Sequence, residues 1–139
     1  MNKEKYDERI QDLKDRAILD STFDNKLLID YTFTNTQNLI WWIGQRLEWT
    51  QAFHIIEKKR KEAYRKTYEY YKKDYPLNLT TKDEISAFVD SDVNYCNVLH
   101  QSILMKEAIK YIDSVIESLK SLAFEVKNAI QWELFKNGR

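Results

Sequence analysis

Glycine, proline and cysteine are all scarce in this sequence of 139 residues, which contains 2 Gly, 1 Pro and 1 Cys. Few glycines and prolines leave the chain with few tight turns and few helix breakers, which favours an all-α fold. With Gly44 and Gly138 as its glycines, the sequence also lacks the glycine-rich loop that binds nucleotide phosphates. ATP hydrolysis and dinucleotide binding are therefore not expected.

The single cysteine and the N-terminal residues favour the cytoplasm as the cellular compartment. Cys96 has no partner for an intramolecular disulfide, which favours a reducing environment. The first ten residues, MNKEKYDERI, lack the apolar core of a signal peptide, and no apolar run approaches the roughly 18 residues of a membrane span. We therefore expect a cytoplasmic protein that does not enter a membrane.

No group of residues predicts catalysis or a metal site. Cys96 and His100 have the spacing of two metal ligands on a helix, but the other histidine, His54, is distant in sequence. Asp90 and Asp92 lack the glycine and the glutamate of a calcium loop and fit helix capping better. No serine or cysteine has a recognisable partner for nucleophilic catalysis. We expect no enzyme activity, no catalytic residue, no metal and no cofactor.

Charge is unevenly distributed, although the formal net charge of the chain is +0. Residues 58–73, KKRKEAYRKTYEYYKK, contain eight basic residues and two acidic ones, a net charge of +6 that the rest of the chain balances at −6. The field near such a patch matters more to a partner than the total charge does. A polyanion is the expected partner of this segment.

A helical wheel at about 100° per residue separates the charges of this segment from most of its tyrosines. The basic residues within one arc are Lys58, Lys59, Lys61, Arg65, Lys66, Lys72 and Lys73. Arg60 points elsewhere, and Tyr64, Tyr68 and Tyr71 form another arc that we expect to pack against a core. Tyr70 lies beside the cations, where a base can stack. The arc predicts binding to a nucleic-acid backbone, with a solvated helix face or a membrane-surface helix as alternatives.

Helical periodicity and capping residues predict a single helical domain over residues 1–139. Its predicted parts are an N-terminal segment (1–38), a long basic helix (39–73), a connector (74–91) and an oligomerisation helix (92–136). Thr81 and Glu84 have the spacing of a capping box for a short helix in the connector, and Asp92 is placed to cap the last helix. Residues 28–34 alternate apolar and polar side chains, which is typical of a strand.

Apolar residues follow a heptad pattern along the last predicted helix. The heptad seam comprises Met105, Ile109, Ile112, Ile116, Leu119, Val126 and Ile130. Further apolar residues widen this seam beyond what a dimer needs, as a multi-stranded bundle or a ring of subunits requires. Two interpretations stay open: the seam joins subunits into a ring-like homo-oligomer, or it covers the long helix of its own chain.

The C-terminal segment resembles the terminal segment of the UvsY-type recombination mediator proteins of tailed bacteriophages. The matching positions are Lys127, Asn128, Ala129, Ile130, Trp132 and Phe135. The run from Trp42 through Lys61 and Arg65 to Tyr71 is similar to the long basic helix of that family, which ends in an acidic residue and two tyrosines. The resemblance covers residues 39–139. Family positions that are basic correspond here to Thr67 and to a segment at 121–123, so no contact is carried over to them.

The resemblance implies a non-enzymatic role in homologous recombination, repair and recombination-dependent replication. Such mediators bind single-stranded DNA, act with the phage single-strand-binding protein and help the phage recombinase to load onto DNA. They form open rings of six or seven subunits through their C-terminal region. The resemblance implies that Lys61 and Arg65 bind DNA. For the other basic residues, a DNA-binding role is predicted from the helical wheel alone.

The resemblance also implies a cellular location, and a second function competes with the one that it implies. A phage-encoded mediator is expected in the cytoplasm of the host bacterium. The alternative is a coiled-coil assembly or scaffold protein whose basic face binds another acidic partner. Salt-dependent binding to single-stranded DNA would separate the two hypotheses.

Overall fold

The computed structural model describes residues 2–22 and 28–138, and these residues are almost entirely helical. The elements are α1 (Lys3–Ser21), α2 (Leu28–Glu69), a π-helix that continues α2 (Tyr70–Asp74), α3 (Lys82–Asp90) and α4 (Val93–Asn137). The described ranges contain no strand, which confirms the all-α prediction and the long C-terminal helix. None of the helices within these ranges has the length and apolar composition to cross a membrane.

Local side chains begin α3 and α4 at the positions that the sequence predicted. The Thr81 hydroxyl accepts a hydrogen bond from the Glu84 amide at 3.2 Å, and the Glu84 carboxylate accepts one from the Thr81 amide at 3.3 Å. This capping box satisfies two donors that a helix start leaves without intrahelical partners. Asp92 Oδ1 accepts from the amide of Tyr95 at 3.0 Å and so caps α4. Both capping predictions are confirmed.

The strand predicted for residues 28–34 is wrong, because α2 begins at Leu28. A strand needs a neighbouring strand for its backbone hydrogen bonds, whereas a helix forms them within its own segment. Farther along α2, Tyr31 is half-buried, and Asn35 and Trp42 are buried, at spacings of four and seven residues that place them on one helix face. Burial of this helix face therefore decides the conformation of residues 28–34, although their apolar and polar side chains alternate.

The C-terminal end of α2 changes from α-helix to π-helix. The amide of Tyr75 donates to the carbonyl oxygen of Tyr70 at 3.0 Å, which is the i to i+5 hydrogen bond of a π turn. A π turn contains more residues than an α turn, so the angle of 100° per residue does not apply after Glu69. The positions that the wheel gave to Lys72 and Lys73 relative to the earlier lysines are therefore approximate, and both side chains are exposed as predicted.

The chain divides into two compact units. The first unit comprises Met1–Leu47 and Lys110–Arg139, and the second comprises Glu48–Ile109. Each has its own buried side chains, and the basic segment lies in the second. That the two units form a single helical domain stays a prediction, which one cooperative unfolding transition would support.

The core of the first unit is built around large apolar side chains. Trp42, Ile112 and Leu119 are among its fully buried side chains. Trp42 Nε1 donates to the carboxylate of Asp20 at 2.9 Å, so the indole is buried without losing its hydrogen bond. Asn35 Nδ2 donates to the carbonyl oxygen of Leu119 at 3.2 Å, which links α2 to α4 within this unit.

One buried cluster of the second unit is formed by Ile85, Val89 and Tyr95. The partly buried residues packed against it are Ala63, Tyr64, Tyr68, Tyr71, Leu79 and Leu99. Three of these are tyrosines from the end of the basic segment. The packing therefore fixes the orientation of that end of α2 and its π-helical continuation.

Candidate nucleic-acid interface

Seven cations project into solvent from α2 and its π-helical continuation, and we call them the basic surface. They are Lys58, Lys59, Lys61, Arg65, Lys66, Lys72 and Lys73, and all seven are exposed. Among the residues that the structure describes, none of them forms an ion pair with an acidic side chain. The positive charge of this surface is therefore available to an anionic partner.

Arg60 is directed away from the basic surface, as the wheel predicted. Its Nε donates to both carboxylate oxygens of Glu57 at 3.0 Å, and its Nη1 donates to the hydroxyl of Tyr95 at 3.0 Å. Ser102 Oγ completes the network by donating to Glu57 Oε2 at 2.8 Å. A guanidinium with these partners stabilises the second unit and is not available to a ligand.

The Arg60 guanidinium strongly favours the ionised form of Glu57. Its hydrogen bonds, together with that from Ser102, lower the pKa of Glu57 from 4.5 to about 2, although partial burial acts in the opposite direction. The hydrogen bonds that Arg60 donates to Glu57 and to Tyr95 raise the pKa of Arg60. The network is thus charged throughout the physiological pH range.

Replacing Glu57 with glutamine is expected to lower the free energy of unfolding at neutral pH. It is also expected to reduce the amount by which the free energy of unfolding falls between neutral and acid pH. The Glu57 carboxylate stabilises the fold above pH 4.5, and this contribution is lost as the pH falls toward 2, since the unfolded chain takes up the proton first. Because the pair is partly exposed, we expect an effect on the order of 2 kcal/mol. Urea unfolding at pH 7 and pH 3 measures both quantities.

The matched control for this change is Glu62→Gln, which removes an exposed carboxylate from the same helix. It is expected to change the free energy of unfolding by less than about 0.5 kcal/mol. Equal acid sensitivity in the wild type and Glu57→Gln would contradict the stabilising role of the network.

Tyr64, Tyr68 and Tyr71 pack against the core, which confirms the prediction made for them. The ring of Tyr64 has an edge contact with Tyr95, with centroids 5.4 Å apart and planes at 72°. The Tyr71 hydroxyl donates to Asp92 Oδ2 at 2.9 Å, and this hydrogen bond raises the pKa of the Tyr71 phenol. Packing and hydrogen bonds therefore hold these side chains in fixed orientations.

Tyr70 is 46% exposed, in agreement with its predicted position outside the core. Its ring contacts those of Tyr71 and Tyr75, with centroid distances of 5.1 Å and 6.2 Å. That a base stacks on Tyr70 stays a prediction.

A groove in the second unit combines tyrosines with cations, which the wheel had separated. Its lining residues are Tyr64, Arg65, Tyr68, Glu69, Lys72, Lys73 and Lys82. The expectation that the packing tyrosines and the cations lie on different surfaces is therefore wrong at this end of α2. Tyr68 and Lys72 are four residues apart, so they are neighbours on one side of the helix, and α3 adds Lys82 from outside the basic segment. Only the capping box at Thr81 signalled in the sequence that Lys82 would begin a helix.

Most of the heptad seam is buried inside the subunit. Met105, Ile112, Ile116, Leu119 and Val126 are buried, and Ile109 and Ile130 are half-buried. For the five buried residues, packing within the chain accounts for the heptad spacing, which favours the second of the two interpretations. A role of the seam residues in oligomerisation stays a prediction.

The side chains of Cys96 and His100 do not form part of a larger group of metal-binding residues within the described ranges, where no three His, Cys, Asp or Glu side chains are arranged to hold a metal ion. Cys96 Sγ donates to the carbonyl oxygen of Asp90 at 3.2 Å.

Comparison with known proteins adds a family and a fold. A family model described as the recombination, repair and ssDNA binding protein UvsY matches residues 17–139. No curated protein matches the chain in sequence.

Crystal structures of the bacteriophage T4 recombination mediator protein UvsY are similar in fold. One, of lattice type IV, has 17% identity and a TM-score of 0.83 and covers 91% of this chain and 98% of the T4 chain. A second, of lattice type I, has 18% identity and a TM-score of 0.81 and covers 90% and 98% of the two chains.

Proposed function

Because this chain belongs to the UvsY family of recombination, repair and ssDNA-binding proteins, we propose that it is a recombination mediator. In this proposal it binds single-stranded DNA and helps a phage recombinase to load onto DNA that is covered by single-strand-binding protein. The family description and the name of the T4 protein refer to binding and recombination, and neither names a catalysed reaction.

The observation that best supports DNA binding is the basic surface, whose seven exposed cations form no ion pair with an acidic residue of the described ranges. Lysine and arginine side chains bind phosphates wherever they occur along a strand, so binding through them does not depend on base sequence. Each phosphate contact on a single strand contributes about −0.7 to the slope of log affinity against log salt concentration. One subunit therefore binds modestly and with strong salt dependence.

We propose further that the chain assembles into a ring-like homo-oligomer of six or seven subunits. Head-to-tail contact between the subunits of a ring needs two different surfaces on each subunit. The first unit offers two exposed apolar surfaces, formed by Phe33, Ile40, Ile43 and Leu47 on α2 and by Phe124, Trp132 and Phe135 on α4. Surfaces of this kind support an assembly, since isolated soluble chains rarely expose contiguous apolar patches.

A ring would give the basic surfaces a common strand to bind. Once one subunit holds the DNA, the effective concentration of the strand for the next subunit is high, so avidity exceeds the affinity of a single subunit. A strand held along several subunits has an imposed shape, and that shape is what a mediator can offer to the recombinase. The proposed partners are therefore single-stranded DNA, the recombinase and the single-strand-binding protein.

Fluorescence titration with an unstructured oligonucleotide at several salt concentrations tests the proposal. We expect binding whose affinity falls linearly with log salt and that is similar for oligonucleotides of different sequence but equal length. Absence of binding at low salt would reject DNA binding and favour a scaffold with another acidic partner.

A further inference from the structure

The groove of the second unit differs from the rest of the basic surface, because it has an aromatic wall as well as cations. It encloses about 470 Å³. Tyr64 and Tyr68 form the wall, and their rings are 6.2 Å apart with planes at 28°. Pockets of roughly 300 to 1,000 Å³ hold small organic ligands in other proteins. The groove is therefore large enough for a nucleotide.

The groove is positively charged on more than one side. Arg65, Lys72 and Lys73 come from α2 and its π-helical continuation, and Lys82 comes from the start of α3. Glu69 is the acidic residue of the lining, which leaves a formal charge of +3. An anionic ligand is thus favoured over a neutral or cationic one of the same size.

We propose that this groove receives one nucleotide of single-stranded DNA, with the base against Tyr68 and Tyr64 and the phosphates on the surrounding cations. The inference rests on the proposed function and deepens it, since it adds stacking of a base to binding of the backbone. The site uses Tyr68 and Lys82, to which the sequence pattern assigned no DNA contact.

Contacts within the second unit already hold the side chains of the aromatic wall in position. Tyr64 is held by its edge contact with Tyr95, and its hydroxyl lies 3.4 Å from Ser86 Oγ. Both wall tyrosines are partly buried against the core of the unit. Side chains that are already ordered lose little conformational entropy on binding. Every base has an aromatic face, so this contact requires no particular sequence.

The helix geometry at this end of α2 brings tyrosines and cations together. On a helical wheel the arc of Tyr64 and Tyr68 adjoins the arc of the cations, and Lys72 follows Tyr68 by four residues. Lys72 and Lys73 belong to the π-helical continuation and line the same groove as the tyrosines. Single π turns within α-helices are frequent at functional sites.

The wild-type chain tests the proposal with two oligonucleotides of equal length, one of thymidine nucleotides and one in which abasic residues replace them. Both have the same phosphates, so we expect equal salt slopes. Stacking of a base is expected to make the thymidine strand bind at least about fivefold more tightly. Equal affinities would overturn the inference and leave the proposed function intact. If neither strand bound, the proposed function itself would fail.

Variants of the wall identify the stacking residue. Tyr68→Leu keeps an apolar side chain but removes the aromatic face, so the ratio of thymidine to abasic affinity is expected to fall to about one. Tyr68→Phe keeps the ring and is expected to keep the ratio. Circular dichroism establishes that each variant is folded. A ratio that is lost in Tyr70→Leu and kept in Tyr68→Leu would overturn the assignment in favour of Tyr70.

The cation contributed by α3 gives an independent measurement. Lys82→Gln is expected to reduce the salt slope by about 0.7 with either oligonucleotide. The matched control is Lys106→Gln, an exposed lysine on α4 that is not part of the groove. A slope that is the same in Lys82→Gln and in the wild type would contradict the placement of the strand in this groove.

Discussion

Reversing two charges with Lys61→Glu and Arg65→Glu is expected to lower the affinity for single-stranded DNA by more than about 25-fold at 0.1 M salt. The two residues are exposed, lie one helical turn apart and have no acidic partner among the described residues. Two lost phosphate contacts amount to about 1.4 decades of affinity between 1 M and 0.1 M salt, and the new carboxylates also repel the strand. The salt slope should decrease accordingly.

The control is Lys106→Glu with Lys110→Glu, because these exposed lysines of α4 have the same spacing and the same change in charge. This variant is expected to bind single-stranded DNA within about threefold of the wild type, since neither lysine belongs to the basic surface and salt screens exposed charges that make no direct contact with the strand. Sedimentation velocity should show the same assembly in all three proteins. An equal loss of affinity in both variants would mean that net charge, and not the basic surface, determines binding.

Ile112→Asp is expected to unfold the first unit, with a loss of about 4 kcal/mol or more in the free energy of unfolding. The Ile112 side chain is 0% exposed, so the substitution leaves a cavity and places a carboxylate without a partner inside the core. Such a loss is comparable with the whole stability of a typical domain. Thermal unfolding followed by circular dichroism measures it, and a fully folded variant would contradict the position of Ile112 in the core.

Phe124→Asp on the same helix is the matched change at an exposed position. Phe124 is 65% exposed, and its replacement is expected to change the stability of a single subunit by less than about 0.5 kcal/mol. If the α4 surface with Trp132 and Phe135 joins subunits, this variant should have a lower sedimentation coefficient while it stays helical. An unchanged oligomeric mass would exclude Phe124 from the contact between subunits.

This pair of variants separates folding from assembly, which the heptad pattern alone cannot do. A heptad seam has the same spacing whether its partner is a helix of the same chain or of another subunit. In the structure Ile112 and Leu119 are fully buried within the first unit. A charged substitution at these positions is therefore expected to unfold the subunit, so it cannot test whether the heptad seam joins subunits.

Local features of the fold followed from the sequence because their causes are local. The scarcity of glycine and proline predicted an all-α chain, and the capping residues Thr81, Glu84 and Asp92 marked the starts of α3 and α4. A cap involves residues three positions apart, so the sequence contains the whole interaction. The period-two pattern at 28–34 misled, because a strand also depends on a partner strand, and residues 2–22 and 28–138 contain none.

The sequence by itself determined that this protein is helical and that one segment of it is strongly basic. It also separated Arg60 from the other cations, because a regular helix fixes the direction of each side chain. Only the tertiary structure decided that Ile112 lies inside the subunit and that Tyr68, Lys72 and Lys82 line one groove. The positions of Ile112 and Lys82 depend on contacts between separate helices, and the spacing of residues along one helix contains no information about such contacts.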